Sequence, residues 1–273
     1  MKKYPQLNIK LIHSSSIIIE RSAAIKIHAH KEGYIQNAIL PEGKWEEITK
    51  DEMESLRNKQ NHNISNTIYI LKIPINIMDL FEELGCQYLT INSPNIRNID
   101  EYSYEKLIAS LNNFFETFVQ YTNNKITYPG ISISEKNRVS VSYDSSRKLY
   151  VGMHIDSWDK LNIYNRDESQ NRIMINLSLE TRYLLCIEKT YNEMIYLLNP
   201  SFSDKEKAKY YNDPSKLLIE FISKFPFTTI IRIPIKHGEA YIAPTENIPH
   251  DGSSLYKNTS DIVFSGRGYL KPY

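Results

Sequence analysis

Apolar and polar positions change their period once along this chain, near Pro129. Before it, apolar residues recur at three- and four-residue intervals. Leu107, Leu111, Phe114, Phe115, Phe118 and Val119 define one stripe and predict a helix over 104–121 that packs on the outside of a sheet. Thr49 and Glu52 have capping-box spacing, which predicts a helix over 50–61. A shorter helix is expected over 77–84, with Gly85 placed to end it in a left-handed conformation. In residues 1–45 only short β-branched runs, at 16–19 and 24–28, suggest one or two peripheral strands.

After Pro129 the period becomes 2, and strands are expected near 138–143, 149–156, 172–179, 183–188, 194–198, 228–234, 240–243 and 261–270. The interruption at 203–224 reads as a helical insertion, with Asp213-Pro214 in the N-cap and N1 positions, covering one mouth or edge of the barrel. Eight antiparallel strands point to a jelly roll. The expected fold is mostly β with helices (α+β), a double-stranded β-helix with N-terminal helices packed on its outside. With no internal repeat, linker or low-complexity tract, residues 1–273 read as a single catalytic domain: a support region over 1–125 and the β-helix core over 126–273.

Composition narrows the function. Lys+Arg of 33 against Asp+Glu of 32, scattered along the chain, leaves no basic stripe for nucleic acid or an anionic membrane. The two cysteines, Cys86 and Cys186, form neither a Cys-x-x-Cys nor a secreted-type framework, so a reducing compartment and no disulfide are expected. The N-terminal residues carry no apolar core for a signal peptide, and no stretch approaches the length of a spanning helix. The expected location is the cytoplasm, with no membrane partner.

Against that background two segments carry metal-site chemistry. On a strand over 149–156, Gly152, His154 and Asp156 share one face, because side chains two apart point the same way. His250 follows Gly238-Glu-Ala-Tyr-Ile-Ala-Pro244, which reads as a turn, a short strand and a stop, and is expected in a loop before the last strand. Two imidazoles and one carboxylate can occupy one face of a ferrous ion and leave adjacent positions open. Taken singly, a His-x-Asp arises by composition and His250 reads equally as a loop histidine at a turn. On the last strand Ser265 and Arg267 share a face, and a guanidinium grips a carboxylate with two parallel hydrogen bonds.

These residues together resemble the Fe(II)/2-oxoglutarate-dependent dioxygenase superfamily, over about Arg138 to Leu270. The resemblance implies His154, Asp156 and His250 as catalytic iron ligands, Arg267 as the partner of the distal carboxylate of 2-oxoglutarate, and Fe(II), 2-oxoglutarate and molecular oxygen as reactants. The Arg-x-Ser of one branch is absent, since Tyr269 stands at that serine's position and Ser265 is the available substitute. Asn176 is a further candidate for 2-oxoglutarate. Arg172 is a candidate for a substrate carboxylate, and Trp158 and Tyr143 for the substrate wall. A carboxylate at 156 argues for hydroxylation rather than halogenation. A compact, near-neutral chain suits a small-molecule substrate, such as an amino acid or natural-product intermediate. Two alternatives remain: a non-catalytic β-sandwich binding module, and a cupin-type metalloenzyme using His28 and His30, although Glu32 comes too soon and Glu42 too late for the cupin spacing.

Overall fold

The structure is a computed structural model, and it describes residues 7–12, 17–57, 64–91, 101–119, 125–161, 165–211 and 213–270. The strands are β1 (Asn8–Ile12), β2 (Glu20–Ser22), β3 (Ile25–His28), β4 (Ala38–Pro41), β5 (Glu46–Glu47), β6 (Thr67–Lys72), β7 (Thr127–Ser134), β8 (Tyr143–Asp144), β9 (Leu149–Tyr150), β10 (Asn171–Asn176), β11 (Arg182–Ile187), β12 (Ile230–Ile235), β13 (Glu239–Ala243), β14 (His250–Ser253) and β15 (Asp261–Gly268). The helices are α1 (Lys50–Arg57), α2 (Ile75–Glu83), α3 (Glu101–Glu116), α4 (Tyr191–Leu198), α5 (Asp204–Tyr211) and α6 (Pro214–Lys224).

Two sheets dominate. One runs β1-β6-β13-β10-β15-β7 and the other β14-β11-β12-β2-β5. Period-2 alternation sorts each strand between an inner and an outer core. On β10, Ile173 and Ile175 join Leu107, Leu111, Phe115 and Phe264 in a cluster shared with α2 and α3, while Met174 turns to a second cluster with Leu184, Ile231, Tyr241 and Val263 from both sheets. On β11, Leu185 and Ile187 face α4 and α6, and Leu184 and Cys186 face inward. The sheets therefore sandwich an inner core, and helices cover both outer faces. The insertion lies against the outer face of the second sheet; the expectation that it caps a mouth or edge is corrected.

Several expected elements form for the reasons given. The Thr49 capping box is made with Glu52, Gly85 has φ 69°, and the Asp213 side chain accepts from the N–H of Lys216 ahead of Pro214. The predicted ends at 58–61 and 120–121, and Ser16 of the first run, lie outside the described residues.

Other expectations are corrected. Residues 194–198 are helical, because Thr190 and Glu193 cap α4 reciprocally, a signal stronger than the short apolar run. The first strand after the period change is β7, hidden in the sequence by Pro129-Gly130; both are tolerated because β7 is an edge strand. Residues 138–142 carry no ladder, although Val141 N–H donates to Gly252 O. In the N-terminal part, β1 and β6 extend the first sheet as a buried parallel pair whose near-continuous apolar run gave no alternation to read.

Candidate metal centre

The strand expected over 149–156 stops at Tyr150. Gly152 then takes φ 84°, a left-handed conformation, and a Cβ there would lie 2.8 Å from the carbonyl oxygen of Ile39. Beyond this kink the chain runs beside β14, which carries His250 on a strand rather than in the expected loop. His154 N–H donates to His250 O at 3.0 Å and His250 N–H to His154 O at 2.8 Å, while Asp156 N–H donates to Thr245 O at 3.0 Å. Met153 and Ile155 pack outward into the cluster with α4 and α6, which turns His154 and Asp156 the other way.

Three side chains distant in sequence thereby converge. His154 Nε2 lies 3.6 Å from Asp156 Oδ1, His250 Nε2 lies 3.7 Å from Asp156 Oδ2, and the imidazole centroids are 4.6 Å apart. One ligand atom from each residue falls within 4.8 Å of the other two; among the described residues this is the only group of three or more His, Cys, Asp or Glu so placed. The far nitrogens fix the tautomers. His154 Nδ1 lies 2.9 Å from Gly152 O and His250 Nδ1 3.3 Å from Ile248 O. A carbonyl only accepts, so each Nδ1 carries the proton and each Nε2 presents a lone pair toward Asp156.

The electrostatics of His250 and Asp156 favour ligation. Burial pulls the His250 imidazole down to about 3, so it is neutral and able to ligate. Burial also opposes ionisation of Asp156, but the polar surroundings of the two imidazoles and the Arg172 guanidinium outweigh it and hold the carboxyl below its usual range. Asp156 Oδ2 is buried without a hydrogen-bond partner, its nearest cation being Arg172 Nη2 at 3.3 Å. A buried, ionised oxygen with two imidazole lone pairs beside it fits a divalent metal.

The other expected site residues divide. Arg172 and Arg267 face each other directly across β10 and β15, and both guanidinium groups lie over the exposed Trp158 ring, at 5.8 and 5.6 Å. Arg267 is held by two carboxylates, Asp159 at 2.8 Å and Glu246 at 3.2 Å. Ser265 Oγ donates to Gly130 O on the neighbouring strand, and Asn176 Nδ2 donates to Glu180 O and Ile235 O, so both are spent on backbone. Tyr143 stands on the β8–β9 hairpin against Tyr150, and among the described residues no hydrogen bond, ion pair or ring contact joins it to the triad.

A cation missed in the sequence lies deeper. Arg182 has the inward parity of Leu184 and Cys186 and is 2% exposed, with Nε 3.1 Å from Asp261. Asp261 also receives Lys257 Nζ at 2.8 Å, so two buried cations share one carboxylate. Arg182 Nη1 is buried without a hydrogen-bond partner, and the Tyr241 phenol hydrogen-bonds to the same guanidinium. Gly252 makes room for it: a Cβ there would lie 2.4 Å from Arg182 Nη2. The inward period of β11 was the available signal.

No family model and no curated protein matches the chain. Solved structures of the Kdo hydroxylase KdoO, described as a non-heme Fe(II) alphaketoglutarate dependent dioxygenase, are similar to it. The apo structure is 14% identical with a TM-score of 0.42, and the complex with alphaketoglutarate and Fe(III) is 15% identical with a TM-score of 0.41. Each match covers 76% of this chain and 80% of that one.

Proposed function

We propose that the chain is an Fe(II)- and 2-oxoglutarate-dependent oxygenase on a double-stranded β-helix, one domain over 1–273, hydroxylating a small molecule. The observation that carries this is the convergence of His154, Asp156 and His250, with both Nε2 lone pairs and an ionised carboxylate directed at one point. Those three residues would hold Fe(II), which with 2-oxoglutarate as the source of two electrons would activate molecular oxygen, the oxidant for hydroxylating an unactivated C–H bond.

The residues of this chain supply position and exclusion of water. Arg182, with an unpartnered Nη1 and Tyr241 beside it, is the better anchor for the distal carboxylate of 2-oxoglutarate, and it takes the role expected of Arg267. Arg267 instead ties the segment of Asp159 to that of Glu246. Met174, Leu184 and Val263 make the inner core that Arg182 faces apolar, and a low-dielectric surrounding strengthens an ion pair. Among the described residues Arg172 pairs with one carboxylate, which it shares with two imidazoles, and it rests on Trp158, which favours a substrate carrying an anionic group. The cupin alternative loses support: His28 pairs with Glu42 at 3.0 Å, and neither belongs to a group of three metal-capable side chains among the described residues.

The test is anaerobic addition of Fe(II) and 2-oxoglutarate, watching for the weak visible absorption of their chelate. Wild type should show it and Asp156→Ala should not. Arg182→Met removes about two charge-assisted hydrogen bonds of roughly 1.5–3 kcal/mol each, which weakens 2-oxoglutarate on the order of a hundredfold or more. Arg267→Met should change that affinity little. No absorption in wild type refutes the reading, and loss in Arg267→Met with retention in Arg182→Met returns the anchor to Arg267.

A further inference from the structure

Arg166 is 1% exposed, and among the described residues no carboxylate forms an ion pair with it. Its Nε donates to Glu246 O at 2.6 Å and its Nη2 to Asp156 O at 2.7 Å, while the guanidinium lies over the Tyr191 ring at 4.4 Å. Burying a guanidinium without a counter-carboxylate is costly, and burial does lower its pKa. Such a residue has a place only where its rigid fork does something a neutral side chain cannot. Here the fork straddles two segments. One ends the stretch that bears His154 and Asp156; the other is the loop that leads into His250. The remaining bonds run the same way: Asn247 Nδ2 donates to Arg166 O at 3.0 Å, and Tyr191 N–H donates to Asn247 O at 2.7 Å.

The two histidines are already fixed by their reciprocal backbone pair, whereas Asp156 has one backbone bond across, to Thr245 O. We infer that Arg166 is a positioning residue for the metal centre, a buried fork that sets the Asp156 carboxylate against the two imidazoles by joining the backbone carbonyls of Asp156 and Glu246. This rests on the metal reading above. Without the fork both carbonyls lose a donor, and Asp156 moves relative to His154 and His250 while the β-sandwich itself stays intact.

Partners that orient metal ligands typically carry about 10–100-fold in metal affinity when removed. The probe is Co(II), titrated into the purified protein and followed by its visible absorption, with thermal melting in parallel. Wild type should bind one equivalent. Arg166→Met should bind at least about tenfold more weakly with an altered absorption spectrum, and Arg166→Lys should recover part of the loss by keeping one carbonyl bond. Tyr191→Phe keeps the ring and should match wild type, since the Tyr191 hydroxyl is buried without a hydrogen-bond partner. If Arg166→Met does not fold, Arg166→Lys decides. An Arg166→Lys protein that melts lower yet binds Co(II) with unchanged affinity and spectrum overturns the inference alone. Failure of wild type to bind Co(II) removes the metal reading, and this inference with it.

Discussion

Asp261→Asn is the perturbation whose size follows most directly from the structure. Arg182, Asp261 and Lys257 are 2%, 1% and 3% exposed, so the group carries two cations and one carboxylate away from water. Replacing the carboxylate leaves both cations uncompensated, and breaking a buried pair in this way costs about 3–5 kcal/mol. At roughly 2–4 °C per kcal/mol for a domain near this size, melting should fall on the order of 10 °C. Lys257→Met has the opposite logic. It removes the surplus cation, leaves Arg182 paired with Asp261 at 3.1 Å, and also removes an ammonium whose pKa burial already lowers. Stability should stay within about 1 kcal/mol of wild type. The assay is urea and thermal denaturation of both variants, repeated with saturating 2-oxoglutarate and metal. If the anchor assignment is right, the ligand's carboxylate partly replaces the lost one, and the ligand-induced rise in melting temperature is larger in Asp261→Asn than in wild type. A Lys257→Met variant less stable than Asp261→Asn would refute the charge argument.

Three further outcomes can be measured independently. Gly152→Ala forces a left-handed alanine at about 1–2 kcal/mol and drives its Cβ into the Ile39 backbone, so both melting temperature and metal affinity should drop; an unchanged melt would show that the kink relaxes freely. Burial opposes ionisation of Glu180, but the Thr259 hydroxyl and the backbone N–H groups of Asn258 and Thr259 outweigh it and hold the carboxyl at about 2. A depressed carboxyl contributes stability above its unfolded value near 4.3, lost as pH falls toward 2. Glu180→Gln should therefore be less stable than wild type at pH 6 and converge with it by pH 2, and equal stability across that range would count against the loop bonds. Phe264→Ala opens the core between Phe81 and Tyr128 and should cost about 3–5 kcal/mol, whereas Phe227→Ala, 86% exposed, should stay within about 0.5 kcal/mol in chemical denaturation; comparable losses would contradict the placement of the core.

The amino-acid order alone determined the elements whose signals are local. Capping at Thr49 and Asp213, the stripe of α3 and the inward–outward alternation of β10, β11 and β15 each depend on residues a few positions apart, and period-2 geometry already placed His154 with Asp156 and Ser265 with Arg267. Only tertiary structure decided what depends on distance. His250 meets the pair because β14 lies beside the kinked segment after Gly152, a kink set by contact with Ile39 far back in the chain. Arg267 and Arg182 are indistinguishable as inward arginines at strand ends. Which of them is free to hold an anion depends on the carboxylates that reach it, two from loops for Arg267 and one already shared with Lys257 for Arg182. Charge compensation is a property of side chains assembled in space, and no pattern along the chain encodes it.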